Sequence, residues 1–138
     1  MADIFSSEKR SEIMSKIKSK NSEAELLIRK ALYALGLRYR IHDKRVIGKP
    51  DIVFLKHKLA IFIDGDWWHG RNYDRENYKY NKYWKEKILS NMNRDRKVEN
   101  ELKSIGWKTL RFWEKDIKKD PLKYALIISA AIQKRKNQ

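Results

Sequence analysis

Residues 62–70 read FIDGDWWHG. An apolar run ends in two acids, Asp64 and Asp66, followed by the adjacent tryptophans Trp67 and Trp68 and by His69, with Gly65 and Gly70 on either side. Hydrolysis of a phosphodiester needs a hard cation on oxygen ligands to take up developing charge, and a base to activate water. Asp51 at the start of a strand, joined by a carboxylate or carbonyl from the end of the neighbouring strand, makes a Mg²⁺ cradle. His69 is the one histidine close to Asp64 in sequence, and imidazole titrates where a general base must. Asp95 lies three residues from both Met92 and Val98, inside the apolar stripe of a helix, where an acid needs a partner. From that helix it could orient His69 and stabilise the imidazolium that forms.

Each residue has a plainer alternative. Pro50-Asp51 is a common loop-to-strand junction, Asp64 and Asp66 suit a hairpin exit, and His69 could be structural. Glu25 completes a capping box with Ser22. Asp95 could pair with Arg94 or Arg96. The catalytic reading gains from convergence, because the element pattern brings Asp51, Asp64 and the His69 loop to one place.

That pattern begins with residues 1–20, where charge alternates with sparse apolar positions such as Met14 and Ile17; this reads as a basic arm that orders on its partner. Residues 21–138 read as one domain. Ser22 caps a helix with apolar positions Ala24, Leu27, Ile28, Ala31, Leu32 and Leu35, and Gly36 ends it. Leu37, Tyr39 and Ile41 alternate with arginines as a short strand. DIVFL from Asp51 and LAIFID to Asp64 form a hairpin; centred on His57, it puts Asp51 opposite Ile63. A helix spans about Tyr80 to Ile105, with Trp84, Ile88, Met92, Val98, Leu102 and Ile105 on one side. The strand WKTLRFW (107–113), a loop, and a helix opened by Asp120 and Pro121 complete the chain. The order helix, three strands, helix, strand, helix predicts an α/β fold with a mixed sheet.

The 33 Lys and Arg against 18 Asp and Glu give a formal charge of +15, an imbalance suited to a polyanion that releases counterions when bound. The 138 residues contain no cysteine, which excludes disulfides and thiolate metal sites. No apolar run approaches the ~20 residues of a membrane span, so no membrane partner is expected and a cytoplasmic location is. Trp67 and Trp68 in a loop beside a metal site could wedge between weakly stacked bases. Periodicity alone places Trp84 in the core.

Met14 and Ile17, AEL around Glu25, GKPDIVF, FIDGDWWHG, YWKEKI around Trp84, NRDR around Asp95 and GWKTLRFWE, in that order, resemble the very-short-patch repair (Vsr) endonucleases. These have a restriction-endonuclease-like, PD-(D/E)XK-type core and nick DNA beside a T:G mismatch. The resemblance implies that Asp51 binds Mg²⁺ with the backbone carbonyl of Ile63, that His69 is the base, and that Glu25 and Asp95 complete the site. It also implies that Trp67, Trp68 and Trp84 intercalate from the major groove while Met14 and Ile17 reach the minor groove. Two departures stand out. The positions that hold a structural zinc in many members are Asp66, Arg71, Tyr73 and Lys115 here, so no structural zinc is expected, and polar contacts of Asp66 with Arg71 or Lys115 should hold the loop instead. Asp64 stands where the family tends to have histidine, adding a carboxylate that could bind metal directly. The expected protein is a monomeric, Mg²⁺-dependent endonuclease that nicks double-stranded DNA 5′ to the T of a T:G pair. The rivals are a homing or restriction-type endonuclease cutting matched DNA and a non-catalytic DNA-binding module.

Overall fold

The computed structural model describes residues 22–66 and 69–136. The arm with Met14 and Ile17, and the pair Trp67 and Trp68, lie outside the described residues.

Helix α1 (Glu23–Ala34) starts at Ser22, whose hydroxyl accepts from the Glu25 backbone N–H at 3.3 Å. Gly36 and Leu37 close it by donating to Tyr33 and Leu32 carbonyls. The chain then runs through β1 (Arg40–Ile41), β2 (Ile52–Phe54) and β3 (Leu59–Asp64). A short α2 (Tyr73–Glu76) precedes the long α3 (Lys82–Ser104), which is followed by β4 (Lys108–Trp113), α4 (Glu114–Lys119) and α5 (Pro121–Lys136). The sheet order is β1-β2-β3-β4; the first two pairings are antiparallel and β3 runs parallel to β4, so the sheet is mixed as expected.

Strand parity distributes the core over the two faces of the sheet. Ile52, Phe54, Leu59, Ile61 and Ile63 pack with Ile28 and Leu32 of α1, Ile117 of α4 and Ile128 and Ile132 of α5. The alternate residues Val53, Ala60 and Phe62 pack with Val98 and Leu102 of α3 and with Val46 and Trp107. The result is three layers with helices on both sides.

Four local expectations need correction. The hairpin register is one residue tighter than a turn centred on His57: Ile52 stands opposite Ile61 and Phe54 opposite Leu59. The reason is the turn itself, a 3₁₀ segment Leu55–His57 closed by Lys58 in the left-handed region (φ 51°). Asp51 nevertheless stays at the Asp64 end of the sheet, its backbone N–H donating to the Ile61 carbonyl at 3.0 Å. The segment after β4 is a helix, not only a loop. Ile105 follows the last turn of α3 and is 53% exposed. Trp84 is fully buried with Tyr80 and Ile88, packed by Tyr73 and Met92, its ring edge-to-face with Tyr83 at 4.9 Å. Trp84 is thus a core residue, as its helical spacing predicts, and not the exposed ring that the resemblance implies.

Candidate active site

At the Asp64 end of the sheet, α1, α3 and the loop before β2 enclose a cavity of about 430 Å³ whose walls carry Glu25, Asp51, Asp64, His69 and Asp95. All five residues expected to form the centre therefore face one space, with Asp51 and His69 opening onto the same cavity. Within it they divide into two clusters.

The first cluster joins Glu25, His42 and Asp51, whose ligand atoms lie within 4.8 Å of one another. The Glu25 carboxylate does not turn back to complete the capping box. Its Oε2 accepts from Arg29 one helical turn away at 2.5 Å and meets His42 Nε2 at 3.0 Å. Asp51 Oδ2 accepts the backbone N–H of Ile63 at 2.7 Å. Burial pushes the Asp51 carboxyl up; the Ile63 N–H opposes this, Glu25 and Asp64 add to it, and the pKa reaches about 7. Acids crowded in this way, offering hard oxygen donors, fit a divalent cation whose charge would relieve their repulsion.

The second cluster joins Asp64, His69 and Asp95, again within 4.8 Å. His69 Nδ1 pairs with Asp95 Oδ2 at 2.7 Å and stands 3.8 Å from Asp64 Oδ2. Asp95 thus has the partner that its place in the apolar stripe demanded. With Nδ1–H donating to Asp95, Nε2 keeps its lone pair, the tautomer a general base requires. Burial lowers the His69 pKa, but the Asp95 hydrogen bond and the charges of Asp64 and Asp95 outweigh it, with Arg111 opposing them, and the net shift is upward. Asp64 is 3% exposed, and burial raises its carboxyl against the pull of His69 and Arg111. Both its oxygens accept from Arg111 Nη1 at 2.9 Å, so its neighbour is a guanidinium, with Asp51 in the other cluster.

The loop carrying His69 is fixed at both stems. Arg71 Nη1 donates to Asp66 Oδ2 at 2.7 Å and to Asp116 Oδ1 at 3.0 Å, and Asp66 Oδ1 accepts the Lys115 backbone N–H at 3.1 Å. The expected polar clasp through Asp66 is present, with Asp116 as a further member. Gly70, at φ 75°, lets the backbone lie against α3; a Cβ there would sit 2.6 Å from Met92 Sδ.

His42 and Arg111 are the site residues that sequence reasoning missed. His42 is one of only three histidines, a usable signal, but its reach to Glu25 depends on a left-handed backbone (φ 47°) that side-chain spacing does not reveal. Arg111 announces itself as a charge inside an otherwise strand-like run, at the alternation position that faces α3.

Residues 2–75 match the family described as DNA mismatch endonuclease Vsr. The chain is 50% identical over 121 residues to the type II nicking enzyme V.HpaIIP of Haemophilus parainfluenzae, covering 86% of each protein. It is 45% identical to V.NmeAIP of Neisseria meningitidis, again over 86% of each. It is 31% identical to the DNA mismatch endonuclease Vsr of Escherichia coli K12, covering 83% of this chain and 74% of that one. A mixed sheet between helices, a cavity walled by carboxylates and a carboxylate-bound histidine, and these similarities lead to one conclusion: the chain belongs to the Vsr family of DNA endonucleases.

Proposed function

We propose that this endonuclease is Mg²⁺-dependent and nicks one strand of double-stranded DNA 5′ to the T of a T:G mismatch, acting as a monomer. The observation that carries the reading is the His69–Asp95 pair at 2.7 Å on a cavity wall shared with Asp51 and Glu25. In this reading Asp51 holds the metal with the Ile63 carbonyl, Glu25 beside them. An extended residue turns its N–H and C=O to the same side, so the Ile63 N–H bond to Asp51 favours that pairing. When bound, Mg²⁺ would supply Lewis-acid stabilisation of charge on the phosphoryl oxygens.

His69 Nε2 takes a proton from water while its Nδ1–H stays on Asp95. The water oxygen forms a bond to phosphorus, the P–O3′ bond breaks, and the leaving oxygen ends as a 3′-hydroxyl once protonated. The other product is a 5′-phosphate on the T. Trp67 and Trp68 test the stacking beside the mismatch, and the arm with Met14 and Ile17 reaches the minor groove, ahead of one catalytic domain over residues 21–138.

Otherwise identical T:G and T:A duplexes, incubated with and without Mg²⁺, test the proposal. Nicking of T:G alone, and only with Mg²⁺, is expected. Equal cleavage of both duplexes would make the protein a matched-site enzyme, and cutting by Asp51→Ala would remove the centre.

A further inference from the structure

Arg111 reaches the site from the sheet. On β4 it stands opposite Phe62 in the parallel register, on the face turned to α3, and its guanidinium lies 4.3 Å above the Phe62 ring. Its Nη1 donates to both oxygens of Asp64 at 2.9 Å and stands 3.6 Å from Asp95 Oδ1, while its Nε donates to Glu99 Oε1 at 2.7 Å. Asp95 therefore divides its oxygens: Oδ1 faces Arg111 and Oδ2 holds His69. Asp64 is shared in the same way, bound to Arg111 and 3.8 Å from His69 Nδ1. The guanidinium and the imidazole are bracketed by the same two carboxylates.

We propose that Arg111 is a positioning residue for the reaction: the resident cation of the His69 cluster, which fixes Asp64 and Asp95 around the imidazole and keeps Asp64 out of the metal set. Taken alone, Asp64, His69 and Asp95 have the composition of a second metal site. A dication there would meet a permanently charged guanidinium already bonded to both Asp64 oxygens, and like charges that close repel. In the Asp51 cluster the guanidinium of Arg29 bonds Glu25, while the Asp51 carboxylate itself accepts from the Ile63 backbone N–H. One end of the cavity is thus for the metal and the other for the proton, and the second end carries a cation of the protein itself, reaching Asp64 from the β4 side. Arg111 offsets one of the three negative charges it meets, on Asp64, Asp95 and Glu99, and the imidazolium offsets a second when it forms. A neutral residue at 111 would leave two acids competing for the His69 proton or recruiting a metal.

The proposal rests on the reading of Asp51 as metal ligand and His69 as base, and the test separates the two. Mn²⁺ titration of the metal-free protein, followed by electron paramagnetic resonance without DNA, reads the metal set directly. Asp51→Asn should weaken Mn²⁺ binding about tenfold or more, as removal of a ligand does, whereas Asp64→Asn should leave it within about twofold. Equal weakening by the two variants would overturn the proposal; no weakening by Asp51→Asn would overturn the metal reading instead.

Single-turnover nicking supplies the second measurement. Arg111→Met should lower the rate constant about 100-fold with little change in DNA half-saturation, and Arg111→Lys should recover part of the loss. Asp64→Asn combined with Arg111→Met should be no slower than Arg111→Met alone, since both break one contact. Wild-type nicking by Arg111→Met, or losses that multiply in the double variant, would refute the positioning role. Near-UV circular dichroism checks the fold of each variant, and where Arg111→Met is unfolded, Arg111→Lys and Asp64→Asn, which keep volume and polarity, decide.

Discussion

Asp51 sits in the protein at a cost. Its carboxyl is raised from 3.8 to about 7, first by burial and then by neighbouring acids. The folded pKa exceeds the unfolded one, so this group's stabilisation is fully present below pH 3.8 and is lost as the pH rises through about 7. The metal-free protein at pH 8 carries that loss, and Asp51→Asn should stabilise it by on the order of 1–3 kcal/mol, seen as a higher Tm, while abolishing cleavage. Added Mg²⁺ should raise the wild-type Tm more than that of the variant at the same concentration.

As the proposed general base, His69 has the opposite requirement, since a base acts only unprotonated. Although burial pulls its pKa down, the Asp95 hydrogen bond and the adjacent charges carry it above 6.5. The single-turnover rate should therefore fall on acidification through a midpoint above the usual histidine value, by about tenfold per pH unit below it. Asp95→Asn should shift that midpoint down while slowing the reaction, and a pH profile of each protein measures both. That these residues share one cavity was legible because residue type pointed to them: an acid at a strand start, a histidine after a glycine-flanked turn and an acid in an apolar stripe each raise a chemical question alone. His42 and Arg111 were not, because their meaning lies in a backbone angle and a cross-sheet contact.

At the scale of elements, the sequence displayed what it repeats. Helices α1, α3 and α5 declare themselves through caps, stops and apolar spacing, and β3 through its six buried residues. Helix α4 hides because EKDIKK has a single apolar side chain, Ile117, and six residues are too few for a period to show. The hairpin register slipped by one because a left-handed Lys58 shortens the turn, and no property of lysine signals that conformation. Trp84 shows how a helix reads its own pattern: Ile88 lies one turn on, and Tyr80 packs beside both. The close approach of the His69 loop to α3 is set by Gly70, where φ is 75° and a Cβ would meet Met92 and Ile88 within 2.8 Å. Gly70→Ala should destabilise the fold by about 1–3 kcal/mol and slow nicking further than that loss of folded protein explains, by displacing the base. Thermal melts alongside single-turnover rates separate the two effects.

For the whole molecule, the layer order was legible from alternating helical and strand-like segments, and the charge of +15 from a count. The division of the cavity into two clusters was not, since it depends on which acid faces which cation. The charge sets how the protein meets DNA. If binding neutralises 6–10 phosphates, affinity for matched and mismatched duplexes alike should drop about 10³-fold or more between 50 and 200 mM salt. Fluorescence anisotropy across that range measures the slope, and a flat response would dissociate the basic surface from DNA binding. Among the described residues no helix is long and apolar enough to cross a membrane.

Asp66, Arg71 and Asp116, with the Lys115 amide, fasten the loop by charge and hydrogen bonding. Such a fastening offers no thiolate to a mercurial, so treatment with organomercury followed by gel filtration should leave catalysis as it was. What it does offer is sensitivity to electrolyte: concentrated salt should slacken the peptide around the histidine even when duplex is already seated, adding a drop in turnover to the drop in affinity.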